Sequence, residues 1–228
     1  MPATVVSSTL SVDSPAATPP AAALLELRDL ACVRGRRRLF RGLNATLAAG
    51  QLLRVTGANG AGKTSLLRML CGLLAPAHGQ VLWQGQDLKR VRDSFHRQLI
   101  YLGHAAALKD DLTPLENLRV ATRLGGDAPD DAAARQALAA AGLSGREHLP
   151  ARSLSQGQRR RAALARLPLG SARLWVLDEP FNALDTAATG WLLGLIEGHL
   201  QRAGMVVLTS HQAVGLSAHC AQRTLALG

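Results

Sequence analysis

A chain of 228 residues with 47% hydrophobic residues is long enough to bury a sizeable core, and with 3% aromatics that core must be mostly Leu, Ala and Val. Lys and Arg number 26 against 16 acids, a formal net charge of +10 that suits an anionic partner as well as it suits a solvated basic surface. Three cysteines without a CxxC or CxxCH argue against a disulfide framework, a zinc site or covalent haem carriage, and no run approaches the ~18 apolar residues of a membrane helix.

Residues 1–22 are rich in Ala, Pro, Ser and Thr, with no Lys or Arg before Arg28, so they read as a disordered tail rather than a targeting peptide. One domain is expected over 23–228. Its first strands, 24–33 and 43–50, flank a basic turn at 34–38. A buried strand at 51–57 ends in glycine, and 62–74 has helical spacing. Strands follow at 79–85 and 97–103; then about 104–165 becomes helical and polar, an inserted lobe. The apolar runs 173–179 and 204–211 read as buried parallel strands, separated by an amphipathic helix at 190–201. A short helix and a last strand at 223–228 close the chain. Strands alternating with helices predict an α/β fold, a mostly parallel sheet with helices on both faces.

Gly57-Ala58-Asn59-Gly60-Ala61-Gly62-Lys63-Thr64 fits G-x-x-x-x-G-K-[ST] between a strand and a helix, the context in which the pattern means a phosphate-binding loop, with Ser65 next in line. Its glycines let successive N–H groups point at phosphate oxygens; Lys63 would reach the β- and γ-phosphates and Thr64 would ligate Mg²⁺. The strand LWVL ends in Asp178 and Glu179, the first suited to hold Mg²⁺ through water and the second to polarise an attacking water. His211 follows the strand VVLTS at its carboxyl end, where open α/β sheets bind ligands. Leu154-Ser155-Gln156-Gly157-Gln158 opens a helix, whose first N–H groups and dipole attract an anion.

In this order these motifs, with Asp185 in NALD, resemble the ATP-binding subunits of ABC transporters from about residue 24 onward. The resemblance implies a P-loop NTPase (RecA-like) core with an N-terminal antiparallel β segment and an inserted α-helical subdomain. It also implies ATP hydrolysis with Mg²⁺ in a head-to-tail homodimer. Ser155, Gly157 and Gln158 would then contact the γ-phosphate of ATP held by a second copy, and Asp185 would report across that interface. The family's adenine-stacking aromatic is replaced by ACVRGRRR, where Arg34 is the nearest stand-in. The family's glutamine after LIYLG is replaced by His104, which could meet Mg²⁺ or the attacking water, or simply connect to the helical lobe. Pro168 is expected to cut the signature helix short.

Within the family, GQVLWQGQDL, IYLGH and LTPLENL look like the haem-exporter type that serves cytochrome c maturation. That branch implies a multi-span membrane subunit, docked along residues 104–120, and other cytochrome c maturation proteins as partners. It places the chain peripherally on the cytoplasmic face of the bacterial inner membrane. An exporter of drugs or polysaccharide is the first rival reading, and a soluble ATPase acting on ribosomes or nucleic acid the second. Against the second, the chain has one ATPase core and no long coiled coil or zinc module, so no nucleic-acid partner is expected.

Overall fold

The computed structural model describes residues 23–211 and 213–227; the Ala- and Pro-rich segment 1–22 lies outside them. Strands β1 (Ala23–Arg34) and β2 (Arg37–Ala48) form an antiparallel hairpin, with β4 (His78–Trp83) on the other side of β1 and the short β5 (Gln86–Asp87) at the edge. The second sheet has the order β6 (Leu99–Leu102), β7 (Leu174–Leu177), β8 (Met205–Thr209), β3 (Gln51–Gly57), β9 (Ala221–Leu227), and every neighbouring pair in it is parallel.

Side chains alternate across a strand, and both faces of the parallel sheet are covered. On one face Leu53, Val55, Val176 and Val207 pack with Leu66, Leu67 and Leu70 of α1 (Lys63–Leu70), in a cluster that also takes in Leu25, Leu27 and Leu47 of the antiparallel sheet. On the other, Leu52, Trp175, Leu177 and Val206 pack with Leu192, Ile196 and Leu200 of α6 (Thr186–Gln201). This double burial is why β7 and β8 read as unbroken apolar runs: every residue of both is buried.

Between β6 and β7, helices α3 (Pro114–Leu124), α4 (Asp131–Ala140) and α5 (Gln156–Leu164) enclose their own apolar cluster, with Leu115, Leu118, Leu138, Leu143 and Leu154 inside. Their starts follow side-chain caps written in the sequence: Thr113 with Glu116, Asp130, and Ser155 with Gln158. Helix α5 stops at Leu164, and Pro168 sits in the following 3₁₀ turn Leu167–Leu169. Among the described residues no helix is long and apolar enough to cross a membrane.

Two expectations need correction, and two short elements are added. The basic turn narrows to Gly35 and Arg36, because Arg37 and Arg38 already belong to β2. The helix α2 (Arg92–His96) and strand β5 are too short to leave a periodic trace, and neither is foreseen. No helix follows β8 among the described residues: 213–217 is irregular, and the Ser217 N–H donates to the Glu197 carboxylate of α6 at 2.7 Å rather than to a carbonyl one helical turn back.

His199 of α6 stacks on Trp175, with centroids 3.8 Å apart and planes 8° from parallel, and Nε2 lies 3.2 Å from the Arg173 carbonyl. Burial, with a smaller contribution from Arg202, pushes its pKa down from 6.5 to about 4. The unfolded chain therefore takes up this proton first, so the contribution to stability is complete above pH 6.5 and is lost as the pH falls towards 4. That loss should amount to roughly 2 kcal/mol once solvent screening is allowed for. Denaturant titrations of the parent and His199→Phe between pH 7 and pH 4 should show the acid-side loss shrinking by that amount in the variant.

Candidate active site

The loop between β3 and α1 is shaped by its glycines. Gly57 has φ 148°, and a Cβ there would lie 2.5 Å from the Leu227 carbonyl oxygen of β9; Gly62, at φ 104°, opens α1. Helices α3, α4, α5 and α6 all carry a side-chain cap, whereas α1 has none, so its first N–H groups lack a side-chain partner, an arrangement that suits an anion. Lys63 lies over the loop, its Nζ donating to the carbonyls of Gly57 at 2.8 Å and Ala58 at 3.3 Å.

At the carboxyl end of β7, Asp178 is 2% exposed and both of its oxygens are engaged. Thr64 Oγ1 donates to Oδ2 and Thr209 Oγ1 to Oδ1, each at 2.8 Å, while the Glu179 N–H donates to Thr209 Oγ1 at 2.7 Å. Glu179 holds a left-handed backbone with φ 49°, a conformation that costs a non-glycine residue about 1–3 kcal/mol. Its Oε1 is buried and accepts no hydrogen bond, although His211 Nε2 stands 3.3 Å away. The pair is thus close enough for attraction but out of line for a hydrogen bond.

These groups surround a cleft of about 520 Å³, whose lining includes Asn59, Gly60, Gly62, Lys63, Thr64 and Ser65 together with Asp178, Glu179 and His211. Arg34 and His104 line it too, although neither belongs to a phosphate-binding motif. Gly57, Ala58 and Ala61 shape the loop without lining the cleft. Leu39 and Asn182 line it unforeseen, because nothing in their local sequence marks them. Thr209 and Arg160, each read only as part of a strand or a helix, both hold the end of β7.

The motif at α5 stands apart from this cleft. Ser155 Oγ accepts from the Gln158 N–H and Gln158 Oε1 from the Ser155 N–H, so both side chains are engaged locally. A Cβ on Gly157 would come 2.6 Å from the Ala183 carbonyl, and Asp185 caps α6 by accepting from the Ala188 N–H at 2.8 Å. Neither Ser155, Gly157, Gln158 nor Asp185 lines the cleft. Thr64 Oγ1 and Asp178 are hard oxygen donors at the phosphate end of the loop, a set that fits Mg²⁺ completed by substrate oxygens and water.

The sequence profile of the ABC transporter family matches residues 40–182. The cytochrome c biogenesis ATP-binding export protein CcmA of Dechloromonas aromatica is 54% identical over 86% of this chain and 96% of its own length. The protein of that name from Nitrosospira multiformis is 51% identical over 87% and 97%, and the one from Escherichia coli O157:H7 is 50% identical over 85% and 92%. Among solved structures, an ABC transporter ATP-binding protein from Pyrococcus furiosus superposes with a TM-score of 0.75 at 25% identity, covering 88% of this chain and 96% of that one. A post-hydrolysis ATP-binding cassette dimer bound to ADP and Pi has a TM-score of 0.70 at 21% identity, covering 82% and 88%, and shares the fold.

Thr209 links the Asp178 carboxylate to the Glu179 peptide. Thr209→Val should therefore lower the unfolding free energy by about 1–3 kcal/mol by leaving Asp178 Oδ1 and the Glu179 N–H unpaired, and Thr209→Ser should recover most of it in chemical denaturation.

Proposed function

The chain belongs to the ABC transporter family, and on that premise we propose that it is the ATP-hydrolysing subunit of a haem-exporter-type complex in c-type cytochrome biogenesis. One observation carries the ATPase chemistry: Lys63, Thr64, Asp178, Glu179 and His211, delivered by two strand ends and one helix start, line a single cleft beside an uncapped helix. The pathway rests on three relatives of this chain, each about 50% identical across nearly its whole length and each named for cytochrome c biogenesis.

The N–H groups of loop 57–62 and of the first turn of α1 cradle the β- and γ-phosphates, and Lys63 swings from its loop carbonyls to meet them. Mg²⁺, held at Thr64 and Asp178, would neutralise charge that develops on the phosphate oxygens. The Glu179 carboxylate, which lines the cleft, accepts a hydrogen bond from the attacking water and so aims its oxygen at the γ-phosphorus. The new P–O bond forms as the bond to the β–γ bridging oxygen breaks, leaving ADP and phosphate. His211 holds the Glu179 carboxylate from the side. His104 serves the γ-phosphate or the water rather than the metal, because imidazole is a poor ligand for so hard a cation. Arg34 offers a guanidinium plane to the base.

Two copies arranged head to tail complete each site. The first turn of α5, with Ser155, Gly157 and Gln158, meets the γ-phosphate bound by the other copy, and Asp185 lies at the same junction. The membrane subunit docks in a groove of about 100 Å³ at the foot of the helical lobe, lined by Ala105, Ala106, Leu108, Leu118 and Ala121. On α3 beside it, Val120 and Leu124, one turn apart, are 46% and 84% exposed, an apolar pair that suits such a partner. This docking places the chain peripherally on the cytoplasmic face of the inner membrane, and ATP-driven closure passes to the membrane subunit through the inserted lobe.

Lys63→Ala should abolish nucleotide binding in equilibrium dialysis. Glu179→Gln should retain ATP, hydrolyse it at least ~100-fold more slowly, and shift to a dimer with ATP in light scattering. Tagged Glu179→Gln captured from detergent-solubilised membranes with ATP should bring down a multi-span subunit and cytochrome c maturation proteins. Capture of an unrelated permease, or of ribosomal proteins, would overturn the pathway and leave the ATPase chemistry standing.

A further inference from the structure

Arg160 lies in the middle of α5 and is 5% exposed. A guanidinium has five N–H donors, and here five main-chain carbonyls meet it. Nη1 donates to Gly103 at 2.8 Å and His104 at 3.4 Å, Nη2 to Asp178 at 2.7 Å and Glu179 at 2.9 Å, and Nε to Pro180 at 3.4 Å. The first two carbonyls follow β6 and the other three follow β7, so one planar fork clamps the ends of two neighbouring strands. Burial lowers the pKa of this group, and the nearby Asp178 and Glu179 carboxylates work against that by favouring its charge.

The clamp closes on the two positions where geometry matters most. Glu179 keeps its left-handed backbone because its N–H is held by Thr209 and its carbonyl by Arg160. His104 faces the cleft from the other strand, with its carbonyl on the same guanidinium. Arg160 also lines the apolar groove beneath the helical lobe, so it stands between that groove and the cleft. Ser155 and Gly157 sit at the start of the same helix.

We propose that Arg160 is a positioning residue for hydrolysis: by clamping the carbonyls that follow β6 and β7 it sets Glu179 and His104 in the cleft and ties both to the signature helix. The proposal rests on the ATPase reading. A residue that only filled the core would affect stability alone, or binding and turnover together. A positioning residue affects turnover while ATP still binds, since Lys63 and the phosphate loop are held by other contacts.

The test compares Arg160→Lys and Arg160→Gln with the parent in the membrane complex, by ATP binding, steady-state ATPase and thermal midpoint. Lysine keeps the charge but presents its donors from one nitrogen and cannot span both strand ends; glutamine reaches one end at most. Both variants should bind ATP within ~3-fold of the parent while kcat falls about 10- to 100-fold, with lysine retaining more turnover than glutamine. Unchanged kcat in a folded variant, a parallel loss of affinity and turnover, or failure of both variants to fold would each overturn the proposal. Lys63→Ala and Glu179→Gln run in the same assay separate the two ideas: if either of them hydrolyses ATP at the parental rate, the ATPase reading fails instead.

Discussion

Everything in the site depends on where one buried carboxylate is held. Asp178 emerges from a fully buried strand, and its two oxygens are gripped by Thr64 at the start of α1 and by Thr209 at the end of β8. Those hydrogen bonds join the phosphate-binding helix to the middle of the parallel sheet. Two hydroxyl donors offset part of the cost of burying that charge, and Arg160 adds a positive field from behind. The cross-link adds to the pairing of β3 and β7 with β8 in fixing the loop relative to Glu179.

Held in that frame, Glu179 has a strained backbone and one unpaired buried oxygen. Both are unfavourable to folding, and both are tolerated because neighbouring hydrogen bonds over-determine the segment. The same contacts keep Glu179 at the wall of the cleft. The paired helix starts follow a similar logic. Helix α5 satisfies its first turn with Ser155 and Gln158, whereas α1 has no side-chain cap. A helix start with its own cap offers an anion fewer free donors, so of these two starts α1 is the better suited to one.

The net charge of +10 looks different against this architecture. Part of the excess of arginine is structural: Arg160 is buried on carbonyls, and Arg159 pairs with Asp110 while donating to the Ala151 carbonyl. Arg34 lines the cleft. Charge counted along a chain does not distinguish an arginine that meets solvent from one that braces a strand end.

The parallel sheet, the helical insert and the phosphate-binding loop were legible because each leaves a local mark: unbroken apolar runs where a strand is covered on both faces, caps before amphipathic helices, glycines where a backbone must pass close to another chain segment. Lys63, Thr64, Asp178, Glu179 and His211 could be singled out for the same reason, since each follows a strand or opens a helix. Thr209, Asn182, Leu39 and Arg160 could not, because their parts come from contacts between segments far apart in the chain; Arg160 is 57 residues from Gly103. The irregular stretch after β8 departs from the expected helix for a related reason: the Ser217 N–H is taken by a carboxylate on α6, which no local pattern records. The sequence by itself determined the longer strands and helices and which chemistry they could carry, because hydrophobic periodicity and turn chemistry are short-range. Only the tertiary structure decided which side chains converge on the cleft and what holds them there, because those hydrogen bonds exist only once distant strand ends have been packed side by side.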